Sequence, residues 1–231
     1  LRTKLMGCAV SQENLLTNRS DVTLNNNGAI NLSGANSTGM YAKFGIINNN
    51  ATGTITIGDS STGLYGTADS ILTNAGTITM GSSSTGMYSE GSTTQGVTNA
   101  GTITSTGTSS VGVLFKPDAT LAPGAVLENT GTITLGDSSV GLYGSNTATN
   151  YTTRNSGTIT VGNSGIGMFG YASDVTGGTI TVGNDGIGMF ADGANSRAIN
   201  RGTINLNGDK AMGMYLDNGA QGINYGTIIA N

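Results

Sequence analysis

The residues of this 231-residue chain that could do chemistry are few and of restricted type. There is no His and no Trp, and the single Cys is Cys8. Catalysis through an imidazole is therefore excluded, as is a His-ligated metal. No intrachain disulfide can form. A carboxylate mechanism of the polysaccharide-cleaving kind needs two acids, or an acid and a base, converging on one groove. The densest run of charge is Asp185, Asp192, Arg197, Arg201, Asp209, Lys210 and Asp217. These fall at unrelated places in the repeat described below and read as a solvated face with minor ion pairs. Calcium binding by Gly-Gly-x-Gly-x-Asp nonapeptides has no counterpart in the chain. Asp59 and Asp137 follow equivalent glycines, but Ser82 and Thr108 stand between them in the series. The expectation is a protein that is not an enzyme and uses no cofactor and no metal.

Three other residue sets have spacing that points to binding. Aromatic residues recur as Tyr41, Tyr65, Tyr88, Tyr143, Phe169, Phe190 and Tyr215. Leu114 interrupts the series, with Phe115 one place late. An outward stripe of rings could stack on sugars or grip a protein partner. Rings that stack on one another and shield the edges of the molecule are the simpler reading. Lys116 and Asp118 lie in a stretch that holds both prolines, Pro117 and Pro123. This stretch reads as a projecting loop, able to carry contacts and more simply an inert insertion. The third set is the pairs Thr54/Thr56, Thr77/Thr79, Thr102/Thr104, Thr132/Thr134, Thr158/Thr160 and Thr179/Thr181. A flat lattice of hydroxyls and methyls could order water as an ice-binding face does. Thr is also simply a good strand former, and Ala29/Asn31, Asn205 and Ile229 break the array.

An internal repeat must position all three sets. Each unit reads Asn-x-Gly-Thr-Ile-Thr-apolar-Gly, then a polar turn, then Gly-apolar-aromatic. The first Gly falls at Gly28, Gly53, Gly76, Gly101, Gly131, Gly157, Gly178, Gly202 and Gly226, in steps of 21 to 30 residues. The second follows 10 or 11 residues later, at Gly39, Gly63, Gly86, Gly112, Gly141, Gly167, Gly188 and Gly213. The Gly-Thr-Ile-Thr segment alternates with period two and is β-branched, as a strand should be. A second strand surrounds the later Gly, and a third precedes the next Asn. Three short strands in about 24 residues make one coil of a parallel β-solenoid. Stacked coils put equivalent positions in columns about 4.8 Å apart.

The column Ile30, Ile55, Ile78, Ile103, Ile133, Ile159, Ile180, Ile204 and Ile228 should then be core. So should Met40, Leu64, Met87, Val113, Leu142, Met168, Met189 and Met214. Leu32, Ile57, Met80, Leu135, Val161, Val182 and Leu206 form a further inner column that Ser105 breaks. Asn26, Asn74, Asn99, Asn129, Asn155, Asn200 and Asn224 should form an amide ladder at a corner, with Ala51 and Thr176 as exceptions. The expectation is an all-β, right-handed parallel β-solenoid of eight to nine coils, roughly 40 Å long. Residues 1–25 are read as an irregular segment or partial cap, and 26–231 as the repeat array.

Composition agrees. Gly is 39 of 231 residues, against an ordinary share of about 7%. It does not recur every third residue, and Pro is nearly absent, so collagen is excluded. Only 10% of residues are charged, unlike a highly charged disordered chain. The net charge of −4 argues against nucleic acid as a partner. Leu5-Met6-Gly7-Cys8 resembles a lipoprotein cleavage site, yet no apolar stretch of signal length precedes it. Cys8 is read instead as a small buried residue. The chain does not begin with Met and the array stops in mid-repeat at Asn231, so it is expected to be a piece of a longer rod.

The units Asn74-Ala75-Gly76-Thr77-Ile78-Thr79-Met80-Gly81 and Gly86-Met87-Tyr88 resemble passenger repeats of large bacterial autotransporters. With Asn155–Gly162 and Gly167-Met168-Phe169-Gly170, they are most similar to the RadD-type outer-membrane adhesins of fusobacteria. The resemblance implies type V secretion and a passenger displayed outside the bacterial cell. It also implies adhesion to, or coaggregation with, host or other bacterial cells through a surface protein or glycan receptor. The partners implied are the rest of a longer passenger chain and such a receptor. The membrane enters only through a translocator barrel that this sequence lacks. An ice-binding solenoid and a polysaccharide-processing β-helix are the alternatives carried forward.

Overall fold

A computed structural model of the chain describes residues 6–11, 22–94, 96–145 and 149–231, with the side chains of 6 and 8–11 left aside. The reading of Cys8 as buried lies outside the described side chains. Most of segment 1–25 likewise lies outside the described residues, although Met6–Ser11 and Thr23–Asn26 are strands. The described residues form a right-handed parallel β-solenoid of three sheets, nine strands in each, and no helix. Every strand pairs in parallel with its equivalents one coil away, on both sides except at the two ends of each sheet.

We name the sheets by their content. The threonine sheet holds strands such as Thr54–Ile57, Thr77–Met80 and Thr158–Val161. The aromatic sheet holds Thr62–Thr67, Thr85–Glu90, Val111–Lys116 and their equivalents. The asparagine sheet holds Ile71–Asn74, Val97–Asn99, Ala125–Asn129 and the rest.

In-register pairing makes the columns. Ile103 sits opposite Ile78 and Ile133, Ile159 opposite Ile133 and Ile180. Ile55, Ile78, Ile103, Ile133, Ile159, Ile180 and Ile204 are all buried, as are Met40, Leu64, Met87, Val113, Leu142, Met168 and Met189. Ser105 also faces inward and bonds its hydroxyl to the Gly81 carbonyl at 3.2 Å. In the last coil Ile228 is 38% exposed, since no coil lies above it.

The two halves of the repeat interlock across coils. A Cβ on Gly63 would lie 2.9 Å from Ile78 Cγ2 of the next coil and 2.5 Å from the Gly86 carbonyl oxygen. Glycine is therefore required wherever the threonine sheet carries Ile, which explains why the two blocks recur together. At the corner between these sheets, one residue per coil takes a left-handed conformation, among them Ser60, Ser83, Ser109, Ser138 and Ser164, with φ between 53° and 58°. Each N–H there bonds the coil above, as Ser60 does to the Ser82 carbonyl at 2.9 Å. These inter-coil bonds hold the corner in a conformation that non-glycine residues adopt only at a cost.

The amide ladder is present, with two corrections. Asn26, Asn49, Asn74, Asn99 and Asn129 each donate a side-chain N–H to the next amide oxygen at 2.7–2.8 Å, the run ending on Asn155 as acceptor. Asn200 does the same to Asn224. The rung expected to be vacant at Ala51 is filled by Asn49, because residues 50–53 make a turn that lengthens the corner. The break on the other side is Val175 and not Thr176, since Val175 pairs with Asn155 and Asn200. Counting back from a glycine misplaces the column wherever a corner changes length.

A second polar ladder went unforeseen. Ser37, Ser61, Ser84, Ser110 and Ser139 are buried, each two places before the second Gly. The hydroxyls of Ser61, Ser84, Ser110 and Ser139 each accept the backbone N–H of the preceding coil's serine at 2.9–3.3 Å. The recurrence of Ser at that offset was the available signal.

Candidate functional site

Alternation from the core outward decides what the aromatic sheet shows to solvent. In Thr85–Glu90 the glycine and Met87 are buried, Tyr88 is half-buried, Ser89 is buried and Glu90 faces out. From Tyr41 to Tyr215 every coil but that of Leu114 thus places an aromatic ring on one outer face, with the residue two places later beside it. The rings do stack on one another. Tyr41–Tyr65 and Tyr65–Tyr88 have centroids 5.3 and 5.0 Å apart. Tyr143–Phe169, Phe169–Phe190 and Phe190–Tyr215 follow at 4.9, 5.1 and 5.1 Å. The column is therefore a shielding spine as well as a half-exposed face. Leu114 divides it into two stacks. Phe115 does not stand in for the missing ring. It points inward, fully buried, and packs edge-on against Tyr151 with centroids 5.2 Å apart.

Around the first stack lies a polar cluster that sequence reasoning missed in one member, Glu90. Its carboxylate accepts the Tyr65 hydroxyl at 3.1 Å and pairs with the Lys116 ammonium at 3.1 Å. Burial works against ionisation of Glu90. Hydrogen bonds from Lys116, Tyr88 and Tyr65 outweigh it and hold the carboxyl below its ordinary range. Burial first, and then the Glu90 charge, pushes the Tyr65 hydroxyl up to about 12. The same causes raise Tyr88. The signal for Glu90 was its place two residues after Tyr88, which puts both on one face.

Lys116 is thus brought to Tyr65 and Tyr88, but Asp118 is not. Asp118 caps its own turn, accepting the backbone N–H and hydroxyl of Thr120 at 2.9 and 2.8 Å. Those bonds lower its pKa. The insertion, expected to project, is anchored instead. Leu121 is buried in the core, and Pro117 is buried beside Lys116. Only its rim, including Asp118, Ala119, Thr120 and Pro123, is exposed. The insertion opens the corner, and Phe115, Leu121 and Tyr151 fill the space inside.

The charged residues of the last coils occupy separate elements. Asp185 sits in a left-handed corner, Asp192 ends an aromatic-sheet strand and Arg197 begins an asparagine-sheet strand. Arg201 pairs with Asp174 and lies 5.7 Å from the Tyr225 ring centroid. Among the described residues no three His, Cys, Asp or Glu side chains are grouped to hold a metal. The threonine pairs align in register over six coils.

Residues 4–122 and 172–227, about three quarters of the chain, match the family described as the BigA third pectate lyase-like domain. The chain belongs to that family. It is a pectate lyase-like β-helix domain, and the stacked three-sheet coil above is what the description leads one to expect. Comparison with curated proteins and with solved structures gives no match. The matched stretch of this BigA-type domain includes the first aromatic stack, Glu90 and Lys116.

Proposed function

We propose that this domain is a non-catalytic segment of a bacterial surface adhesin and makes its contacts through the outer face of the aromatic sheet. The observation that carries the reading is the juxtaposition of a half-exposed aromatic column with the Tyr65–Tyr88–Glu90–Lys116 cluster. Flat apolar surface beside oriented donors and acceptors is what recognition of a glycan or a protein edge requires. A stack of self-supporting coils makes a long rod without disulfides or metal, and the resemblance to RadD-type autotransporter passengers fits display outside the cell. Hydrogen bonds from a lysine and two tyrosines favour the ionised form of Glu90, so it is not set up as a general acid. A general acid would instead need its proton retained near neutral pH.

The test is competition. The isolated domain should reduce attachment or coaggregation of cells that display the full passenger, and a Tyr65→Ser/Tyr88→Ser variant should compete less. A domain that folds but never competes would reduce this segment to a spacer. The aligned threonine lattice favours ice binding as a second reading. Thermal hysteresis at millimolar protein would support it, and its absence would remove it.

A further inference from the structure

We propose that the interruption at Leu114 is a slot one ring wide, built to take a pyranose whose ring substituents are all equatorial. The proposal rests on the attachment reading above and names the ligand class for that face.

Ring orientation is the starting point. Tyr65 and Tyr88 are nearly parallel, with an interplanar angle of 11°, and Tyr143 and Phe169 are stacked at 25°. Rings stacked along the coil axis present their second faces along that axis. The free face of Tyr88 and the free face of Tyr143 therefore look toward the coil between them. That coil carries Leu114, which pairs with Tyr88 on one side and Tyr143 on the other. The other contacts along the stripe are tilted or edge-on, at 49°, 66° and 63°. The two parallel pairs are the ones that flank the gap.

The gap has the width of one ring. Two coil spacings put Tyr88 and Tyr143 roughly 10 Å apart. Neighbouring rings elsewhere on the stripe are 4.9–5.3 Å apart, so a ring midway would keep the same spacing on both sides. Leu114 fills only the inner part of the place. A leucine ends at its δ carbons, whereas a tyrosine continues through its ε and ζ carbons to the hydroxyl. Leu114 is half-buried and makes the floor. The aromatic residue of this coil, Phe115, is committed to the core.

The rim identifies the occupant. Glu90 and Lys116 follow Tyr88 and Leu114 by two residues and share their face, with the Lys116 side chain 49% exposed. An aromatic side chain from a partner would satisfy the two walls but leave this charged pair with little to bind. A pyranose with equatorial substituents has C–H bonds on both faces and hydroxyls around its edge. Its faces suit the tyrosine walls, and its edge hydroxyls suit a carboxylate acceptor and an ammonium donor. An axial hydroxyl, as in galactose or mannose, would be pressed unpaired against one wall. Discrimination of roughly tenfold or more follows, of the size that one misplaced group produces in a binding pocket.

The experiment is ligand-observed NMR titration of the folded domain with methyl β-glucopyranoside, methyl N-acetyl-β-glucosaminide, methyl β-galactopyranoside and N-acetyltyrosinamide. The first two should bind at least tenfold more tightly than the others. Leu114→Tyr, which supplies the missing ring, should abolish sugar binding and keep or raise the melting temperature. Leu114→Ala should keep binding within a few-fold. Should Leu114→Tyr fail to fold, Tyr143→Leu removes one wall at a half-buried position and should weaken sugar binding tenfold or more. Equal binding of glucoside and galactoside, tighter binding of the tyrosine amide, sugar binding that survives Leu114→Tyr, or no sugar binding each overturns the slot. Competition by the domain in the cell assay without sugar binding would remove the slot and leave the attachment reading standing. Sugar binding without competition would do the reverse.

Discussion

Substitution of Asn99 probes the amide ladder where it is fully buried and flanked on both sides. Asn99 accepts from the Asn74 side chain at 2.7 Å and donates to Asn129 Oδ1 at 2.7 Å. Alanine deletes both bonds. The Asn74 N–H retains the Thr102 carbonyl at 3.4 Å as a weak alternative, while Asn129 Oδ1 loses the donor that Asn99 supplied. An orphaned buried polar group costs about 1–3 kcal/mol, so one full and one partial orphan should destabilise by about 2–4 kcal/mol. Valine copies the natural break at Val175. There Asn155 turns its N–H to the Gly157 and Thr179 carbonyls at 3.2 and 3.3 Å. Asn99→Val should cost about 1 kcal/mol less than alanine, because it fills most of the cavity.

Asn99→Asp adds a pH test of the same rung. A carboxylate would present an oxygen to the Asn129 oxygen, in a buried site, so the folded-state pKa should rise above the unfolded value of about 3.9. The folded form then binds the proton more tightly than the unfolded chain. Relative to wild type, the variant should be most stable below about pH 4 and should lose stability as pH rises toward the raised pKa. The assay is urea unfolding followed by circular dichroism, comparing midpoints at constant slope across pH. An alanine penalty below about 0.5 kcal/mol, typical of an ordinary surface position, or an aspartate penalty independent of pH, would refute a stabilising ladder.

Three further outcomes are expected. Gly141→Ala places a Cβ 2.5 Å from Ile159 Cγ2 and should destabilise by about 1–3 kcal/mol, whereas Gly28→Ala, with nothing within 4 Å, should be near neutral in the same unfolding assay. Alkaline difference spectroscopy should find Tyr65 titrating near 12, and Glu90→Gln should lower that value without restoring 10, because burial is the larger cause. Since the folded pKa lies above the unfolded one near 10, the unionised Tyr65 supports the fold below pH 10, and that support is lost as pH climbs toward 12. Leu121→Ala should cost about 2–5 kcal/mol in chemical denaturation, because that side chain anchors the insertion in the core; a neutral result would mean that the insertion is held from outside.

The solenoid itself was legible in the amino-acid sequence, for a physical reason. In a parallel in-register stack each position meets its own equivalents, so the demands on residue type recur at the period of the coil. Ile at the threonine-sheet core, Asn at the corner and an aromatic on the outer face all followed from spacing alone, whereas the need for Gly beneath the next coil's Ile showed only in the packing. What the sequence left undecided lies where the period breaks. Corners of unequal length move Asn49 and Val175 into rungs that counting from the nearest glycine assigns to Ala51 and Thr176. The enlarged corner at 117–124 turns inward because Leu121 and Phe115 find core space there, which no pattern in the insertion announces. The Glu90–Lys116 pair and the gap at Leu114 are meetings between coils 26 residues apart in sequence, and only the folded register brings them to one face.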